Sequence, residues 1–272
     1  MQPEPHLDLG PTGGTTPYYV PIADERETFR AAFDSRRPVL LKGPTGVGKT
    51  RLVEAMAHEL GLELITVACH EDLTAADLVG RFLLRGDETV WADGPLTDAV
   101  RRGALCYLDE IVEARQDTTV VLHPLTDHRR LLPMERLGTT IAAHERFFLV
   151  VSYNPGYQSL LKELKPSTRQ RFVAIELGFP PPDVERAVVV HEAGVDEATA
   201  DRLVALASAL RRSQVSGLRE TASTRTLVAA GALSVHGLPL AQAARAAIAQ
   251  TLTDDPELVD AINELIDAYI AT

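Results

Sequence analysis

GPTGVGKT, residues 43–50, meets every fixed position of the G-x-x-x-x-G-K-[ST] phosphate-loop pattern. The apolar run PVLL at 38–41 precedes it, and Leu52, Val53, Met56 and Leu60 follow at helical spacing up to Gly61. Strand, loop, helix is the context that gives the motif its chemistry; a glycine turn that fitted by accident would lack it. Glycines let consecutive backbone N–H groups turn towards phosphate oxygens, and the helix starting there adds the positive end of its dipole. In that geometry Gly43, Pro44, Thr45, Gly46, Val47 and Gly48 cradle the phosphates. Lys49 reaches the terminal phosphates and Thr50 offers its hydroxyl to Mg²⁺.

Working outward, residues 62–69 read as a strand, because Ile65, Thr66 and Val67 are β-branched and the run is short. A helix restarts over 74–79. Two short strands around the Arg-Gly-Asp-Glu turn at 85–88 then form a hairpin inserted in a helical region, with Leu84 and Trp91 read as packed flanks. After a helix over 96–102, the apolar strand LCYL at 105–108 ends in Asp109 and Glu110. A buried strand ending in two acids downstream of a phosphate loop suits a first acid that holds Mg²⁺ and a second that takes a proton from water. Residues 128–143 suggest a second exposed hairpin, 147–152 a strand ending before Asn154, and 172–177 a fifth strand preceded by a short helix and Arg169-Gln170-Arg171.

Strands alternating with helices predict an α/β fold with a mainly parallel five-stranded sheet covered on both faces and carrying two hairpin insertions. Upstream, residues 1–20 hold too many Pro and Gly for a packed element and read as a loose arm. The nucleotide-binding domain then spans 21–180. After the proline run at 180–182 everything reads helical, giving a small all-helical lid domain over 183–272 whose last helix has Asp255 as cap and Pro256 in its first turn.

The chain has 272 residues, of which 45% are hydrophobic, enough for real cores. With 27 Lys and Arg against 38 Asp and Glu, the net charge of -11 disfavours nucleic acid and anionic membranes and favours protein partners. Cys69 and Cys106 both fall in apolar, strand-like runs; two buried thiols make neither a disulfide framework nor a zinc site, which suits a reducing cytoplasm. No apolar run approaches the roughly 20 residues that span a bilayer, and no signal pattern opens the chain. The histidines lack the spacing of metal ligands.

Together these residues resemble the AAA+ ATPases, and the two hairpins resemble the MoxR branch. Within it, LITVACHEDLTAADLVGR, DGPLTDAV, YLDEIVEARQDTTVVLHPLTDHRR and SYNPGYQSLLKELKPSTRQRF are similar to the CbbQ/NorQ family, over nearly the whole chain from about residue 18. The resemblance implies that Asn154 is the sensor holding the attacking water and that Arg225, in Ser-Thr-Arg, is a second sensor closing the lid on nucleotide. It implies that Arg171, or else Arg169, is an arginine finger entering the neighbouring subunit's site. It further implies ATP and Mg²⁺ as cofactors, a ring, usually a homo-hexamer, and a partner bearing a von Willebrand factor A domain. The family's targets are rubisco, freed of inhibitory sugar phosphates, and nitric oxide reductase, matured at its metal centre. Residues 65–81 and 115–130 resemble the rubisco-activating subset more closely, which implies a cytoplasmic or carboxysome-associated protein.

Each role has a plainer competitor. Asn154 precedes a proline and could start a turn; Arg225 could be a solvated helix residue; Arg169 and Arg171 alternate, so one of them is expected to serve only a surface ion pair. Other functional classes compete too. A GTPase would need an N-K-x-D string, which is missing, and a self-contained kinase would not need Glu110, paired arginines and a helical lid together. A nucleotide-gated binding module with little turnover would not need Lys49, Asp109 and Glu110 intact.

Overall fold

In the computed structural model, which describes residues 16–155, 164–213, 218 and 220–270, five short apolar runs become one parallel sheet. They are β1 (Val39–Lys42), β2 (Leu64–Ala68), β5 (Leu105–Asp109), β8 (Phe148–Tyr153) and β9 (Val173–Glu176), in the order β2-β5-β8-β1-β9. Strands β1, β5 and β8 are buried along almost their whole length, so they carry continuous apolar residues where a half-exposed strand would alternate. The register pairs Val39 with Val150 and Val173, and Leu108 with Val151.

Helices α1 (Glu25–Asp34), α2 (Lys49–Leu60), α3 (Ala75–Val79), α4 (Pro95–Arg102), α5 (Gln116–Leu122) and α6 (Pro166–Arg169) connect these strands. Phe29 and Phe33 of α1 meet the Phe148 ring edge-on, at 5.4 and 5.3 Å between centroids. Thr74 caps α3 through a reciprocal capping box with Asp77. The amino-terminal arm expected over residues 1–20 falls outside the described residues up to 15; within the described part, Tyr19 donates to the buried Glu25 at 2.8 Å.

Both expected hairpins form: β3 (Gly80–Arg85) with β4 (Glu88–Asp93), and β6 (Leu131–Met134) with β7 (Thr139–Ala142). Two expectations about them are corrected. Leu84 is 76% exposed rather than packed: it shares a face of β3 with Phe82, which is itself 46% exposed and meets Trp91 edge-on at 5.1 Å, but it lies next to the turn opposite the small Thr89, where no ring covers it. The second hairpin is not simply exposed: Leu132 and Met134 lie fully buried, with the hydroxyl of buried Thr97 against the Met134 sulfur at 3.6 Å. Cys69 is also not a strand residue but sits just past β2; it and Cys106 are free, and burial, above all, pushes both thiols up to about 12.

The chain divides into two compact units, one built on the sheet and the other on Leu177–Thr272 together with Val20–Ala23 and Gly43–Gly48. The helical unit contains α7 (Pro182–Ala193), α8 (Glu197–Ser213), α9 (Thr224–Val235), α10 (Leu240–Ala244), α11 (Gln250–Leu252) and α12 (Pro256–Ile270). A π-helical segment at Arg245–Ala249, not foreseen from the sequence, joins α10 to α11. Its core is Ala-, Leu- and Ile-rich, with Leu203, Leu206, Leu227, Ile248, Ile262 and Ile266 fully buried. Asp255 caps α12 as expected, accepting from the Glu257 N–H at 2.9 Å.

Candidate functional site

Three neighbouring parallel strands deliver the polar residues. β5 ends on Asp109, β8 is followed by Asn154, and β1 leads into residues 43–48; in the sheet these strands stand side by side. Carboxyl ends of adjacent parallel strands are where α/β sheets bind ligands. Buried Lys49 donates from Nζ to Asn154 Oδ1 at 2.5 Å, and Asn154 Nδ2 donates to Glu110 Oε1 at 3.2 Å. The three residues expected to hold phosphate, orient water and accept a proton are therefore one hydrogen-bonded chain, and Glu110 stays exposed at its end.

Asp109 is fixed from its own strand and the next. Its Oδ1 accepts from the Tyr107 hydroxyl at 2.6 Å and from Ser152 Oγ in a very short contact. The Ser152 hydroxyl in turn accepts from the Glu110 N–H at 3.0 Å. Burial, then the Asp109 charge, drives the Tyr107 phenol well above its ordinary range, so it remains a neutral donor. The Thr50 side chain lies near the same phenol, which places both expected Mg²⁺ ligands around one hydroxyl. Glu110 adopts φ 57°, a left-handed conformation that costs a non-glycine residue about 1 kcal/mol and turns its side chain out of the strand direction.

In the helical unit, Gly46 has φ 74°, and a Cβ there would lie 2.5 Å from Ser223 Oγ and 3.2 Å from Arg225 Cβ. Only glycine fits so close an approach, and the approach brings the expected second sensor, Arg225, against the phosphate loop. Thr45 donates to Glu220 at 3.2 Å beside it. Gly43 is equally constrained, since a Cβ would sit 2.2 Å from the Leu177 carbonyl oxygen.

The donor set suits a nucleotide polyphosphate with Mg²⁺. Glycine conformations at Gly46 and Gly48, φ 74° and 100°, allow backbone amides to face an anion; the α2 amino-terminus and the Lys49 ammonium add positive charge. Thr50 and Asp109 offer the one or two hard oxygens with which proteins commonly hold Mg²⁺, and no larger cluster of potential metal ligands occurs among the described residues. Thr50 and Asp109 would hold Mg²⁺, which would supply charge neutralisation at the phosphates. Lys49 would add its positive charge to the same phosphates; Asp109 is held by Tyr107 and Ser152, the Asn154 amide donates to Glu110, and Glu110 is an exposed carboxylate.

The two arginines are treated differently by the fold. Arg171 is partly buried, donating from Nη1 to the His123 carbonyl at 3.4 Å and standing 3.9 Å from Asp127. Its Nε is buried and has no hydrogen-bond partner among the described residues. Arg169, at the end of α6, is exposed. Burial and the charges of Arg171 and Lys165 keep His123 below its ordinary value, and its Nε2 lies 3.0 Å from Thr168 Oγ1.

Residues 38–172 match the model of the AAA domain, dynein-related subfamily, and residues 185–269 match the CbbQ/NirQ/NorQ C-terminal model. Protein CbbQ of Hydrogenophilus thermoluteolus is 57% identical over 89% of this chain and 91% of its own length. The chain belongs to the CbbQ/NirQ/NorQ family. It is thereby a MoxR-type AAA+ ATPase, an enzyme that hydrolyses ATP. Protein NorQ of Paracoccus denitrificans is 56% identical, covering 93% of each chain. Among solved structures, a RuvB mutant from Thermotoga maritima shares the fold at TM-score 0.53 and 16% identity, covering 90% of this chain and 70% of that one.

Sequence reasoning missed the residues that orient this CbbQ/NirQ/NorQ site rather than those expected to bind. Tyr107 sits two residues before Asp109 on the same strand face, and Ser152 is the one polar residue inside an apolar strand. Either oddity could have marked them. Glu220 and Ser223 beside the phosphate loop carry no comparable signal, because their placement depends on the fold of the helical unit.

Proposed function

We propose that this ATPase is a ring-forming motor, expected as a homo-hexamer, that remodels a target enzyme with the help of a von Willebrand factor A domain partner. In this reading the phosphate loop and Lys49 bind ATP, Thr50 and Asp109 hold Mg²⁺, Asn154 orients water and Glu110 is the general base. Arg225 contacts nucleotide from the helical unit, and Arg171 serves the neighbouring subunit's site, with Arg169 as the competitor. The observation that carries the reading is the Lys49–Asn154–Glu110 chain, which assembles phosphate-side, water-side and base groups in one subunit. An arginine supplied across an interface makes hydrolysis depend on assembly.

The proposed target is rubisco, released from inhibitory sugar phosphates; the resemblance of residues 65–81 and 115–130 to the rubisco-activating subset supports it. Maturation of nitric oxide reductase is the second reading, favoured by a relative named NorQ at almost the same identity as the one named CbbQ. The exposed β3–β4 tip, residues 85–88, is proposed to engage target or partner. The test is reactivation of inhibited rubisco by the protein, its adaptor and ATP. Reactivation that is lost with replacements at 85–88 while ATP turnover persists supports the reading; maturation of nitric oxide reductase without any effect on rubisco moves the assignment to the second target.

A further inference from the structure

A second buried charged cluster lies in the helical unit, and none of the assigned roles uses it. Glu185 of α7 is fully buried, and Arg211 of α8 grips it with both ends of its fork, at 2.7 and 2.8 Å. Arg211 also donates from Nε to the Ala222 carbonyl at 2.9 Å and lies over the Phe179 ring at 4.0 Å. Glu185 Oε1 accepts in addition from the Thr224 hydroxyl at 2.6 Å. A buried ion pair is poor evidence of stabilisation, because desolvation offsets the Coulomb gain; its value lies in fixing one geometry. Here the geometry fixed is that of Ala222 and Thr224.

Those residues flank Ser223 and lead into Arg225, and Ser223 and Arg225 are the side chains packed on the phosphate loop at Gly46. We infer that Glu185 and Arg211 are positioning residues that act through Thr224 to hold Ser223 and Arg225 against the phosphate loop, and so set the affinity for ATP. The inference rests on the proposed reading of Arg225 as a nucleotide contact. Thr224 is the clean probe, because replacing its hydroxyl by a methyl group keeps the shape and removes one bond to Glu185.

The experiment is steady-state ATP turnover by the full-length assembled protein, separating KM from kcat, with melting temperature recorded alongside. Thr224→Val should raise KM for ATP on the order of tenfold, with kcat within about twofold. Thr224→Ser, which keeps the hydroxyl, should restore the parent KM. Arg225→Ala should raise KM as well, and the double variant should be no worse than Arg225→Ala alone, since the two act in series. If Thr224→Val does not fold, Arg211→Lys, which keeps the charge and loses the fork, should show the same KM split. A lowered melting temperature with parent KM, or additive effects in the double variant, overturns the inference. An unchanged KM in Arg225→Ala sinks the nucleotide-contact reading beneath it; a raised KM there beside a parent KM in Thr224→Val sinks this inference alone.

Discussion

Glu185 and Arg211 in the helical unit close on each other, whereas Lys49, Asn154 and Glu110 in the α/β unit form a chain that ends on an exposed carboxylate. Glu185 accepts from three donors, and Arg211 uses its whole fork and its planar face. The first arrangement has little left to offer a ligand and much to lose by disturbance. In the second, Lys49 is buried but meets a neutral amide, and Glu110 remains at the surface. The chain therefore ends in solvent, whereas the ion pair of the helical unit ends on itself.

The contrast can be broken by substitution. Lys49→Ala should abolish ATP binding in a titration, since the phosphate-side cation is gone, while the melting temperature stays near that of the parent. A protein that still binds ATP tightly would mean that Lys49 serves structure. Glu185→Ala should do the opposite. Stranding Arg211 without its counter-charge should cost about 3–5 kcal/mol in denaturant unfolding. A loss below about 1 kcal/mol would show that the pair is not structurally required.

The two hairpins sharpen the same point on a smaller scale. Leu132 in β6 is fully buried and Leu84 in β3 is 76% exposed. Leu132→Ala should therefore lower stability by about 2–5 kcal/mol, and Leu84→Ala should fall within about 0.5 kcal/mol of the parent. Equal losses would mean that the β3 residue is covered in solution, for instance by assembly.

What could be read beforehand was whatever is local. The phosphate loop, the Asp109-Glu110 strand end, the five strands and the two hairpins each announce themselves within a few residues. Asn154 and Lys49 were legible as separate candidates, but their hydrogen bond depends on β8 pairing with β1, which no local pattern encodes. The same holds for Ser152 reaching Asp109 across β8 and β5. Leu84 was misread because alternation puts it on the same face as Phe82, and no local pattern says that this face stays uncovered at the hairpin tip. The π-helical turn at Arg245–Ala249 lies in an Ala-rich run whose propensity fits an ordinary helix equally well.

The central claim is that the α/β cluster binds through Lys49 and reacts through Glu110. The most direct test is Glu110→Gln, with ATP binding measured by titration and hydrolysis by phosphate release from the assembled protein. Binding should match the parent, because Glu110 does not hold phosphate in this account. Turnover should fall by about 10²- to 10⁴-fold, the usual contribution of a positioned general base. Hydrolysis at the parent rate would contradict the assignment, and so would a loss of ATP binding as complete as that expected for Lys49→Ala.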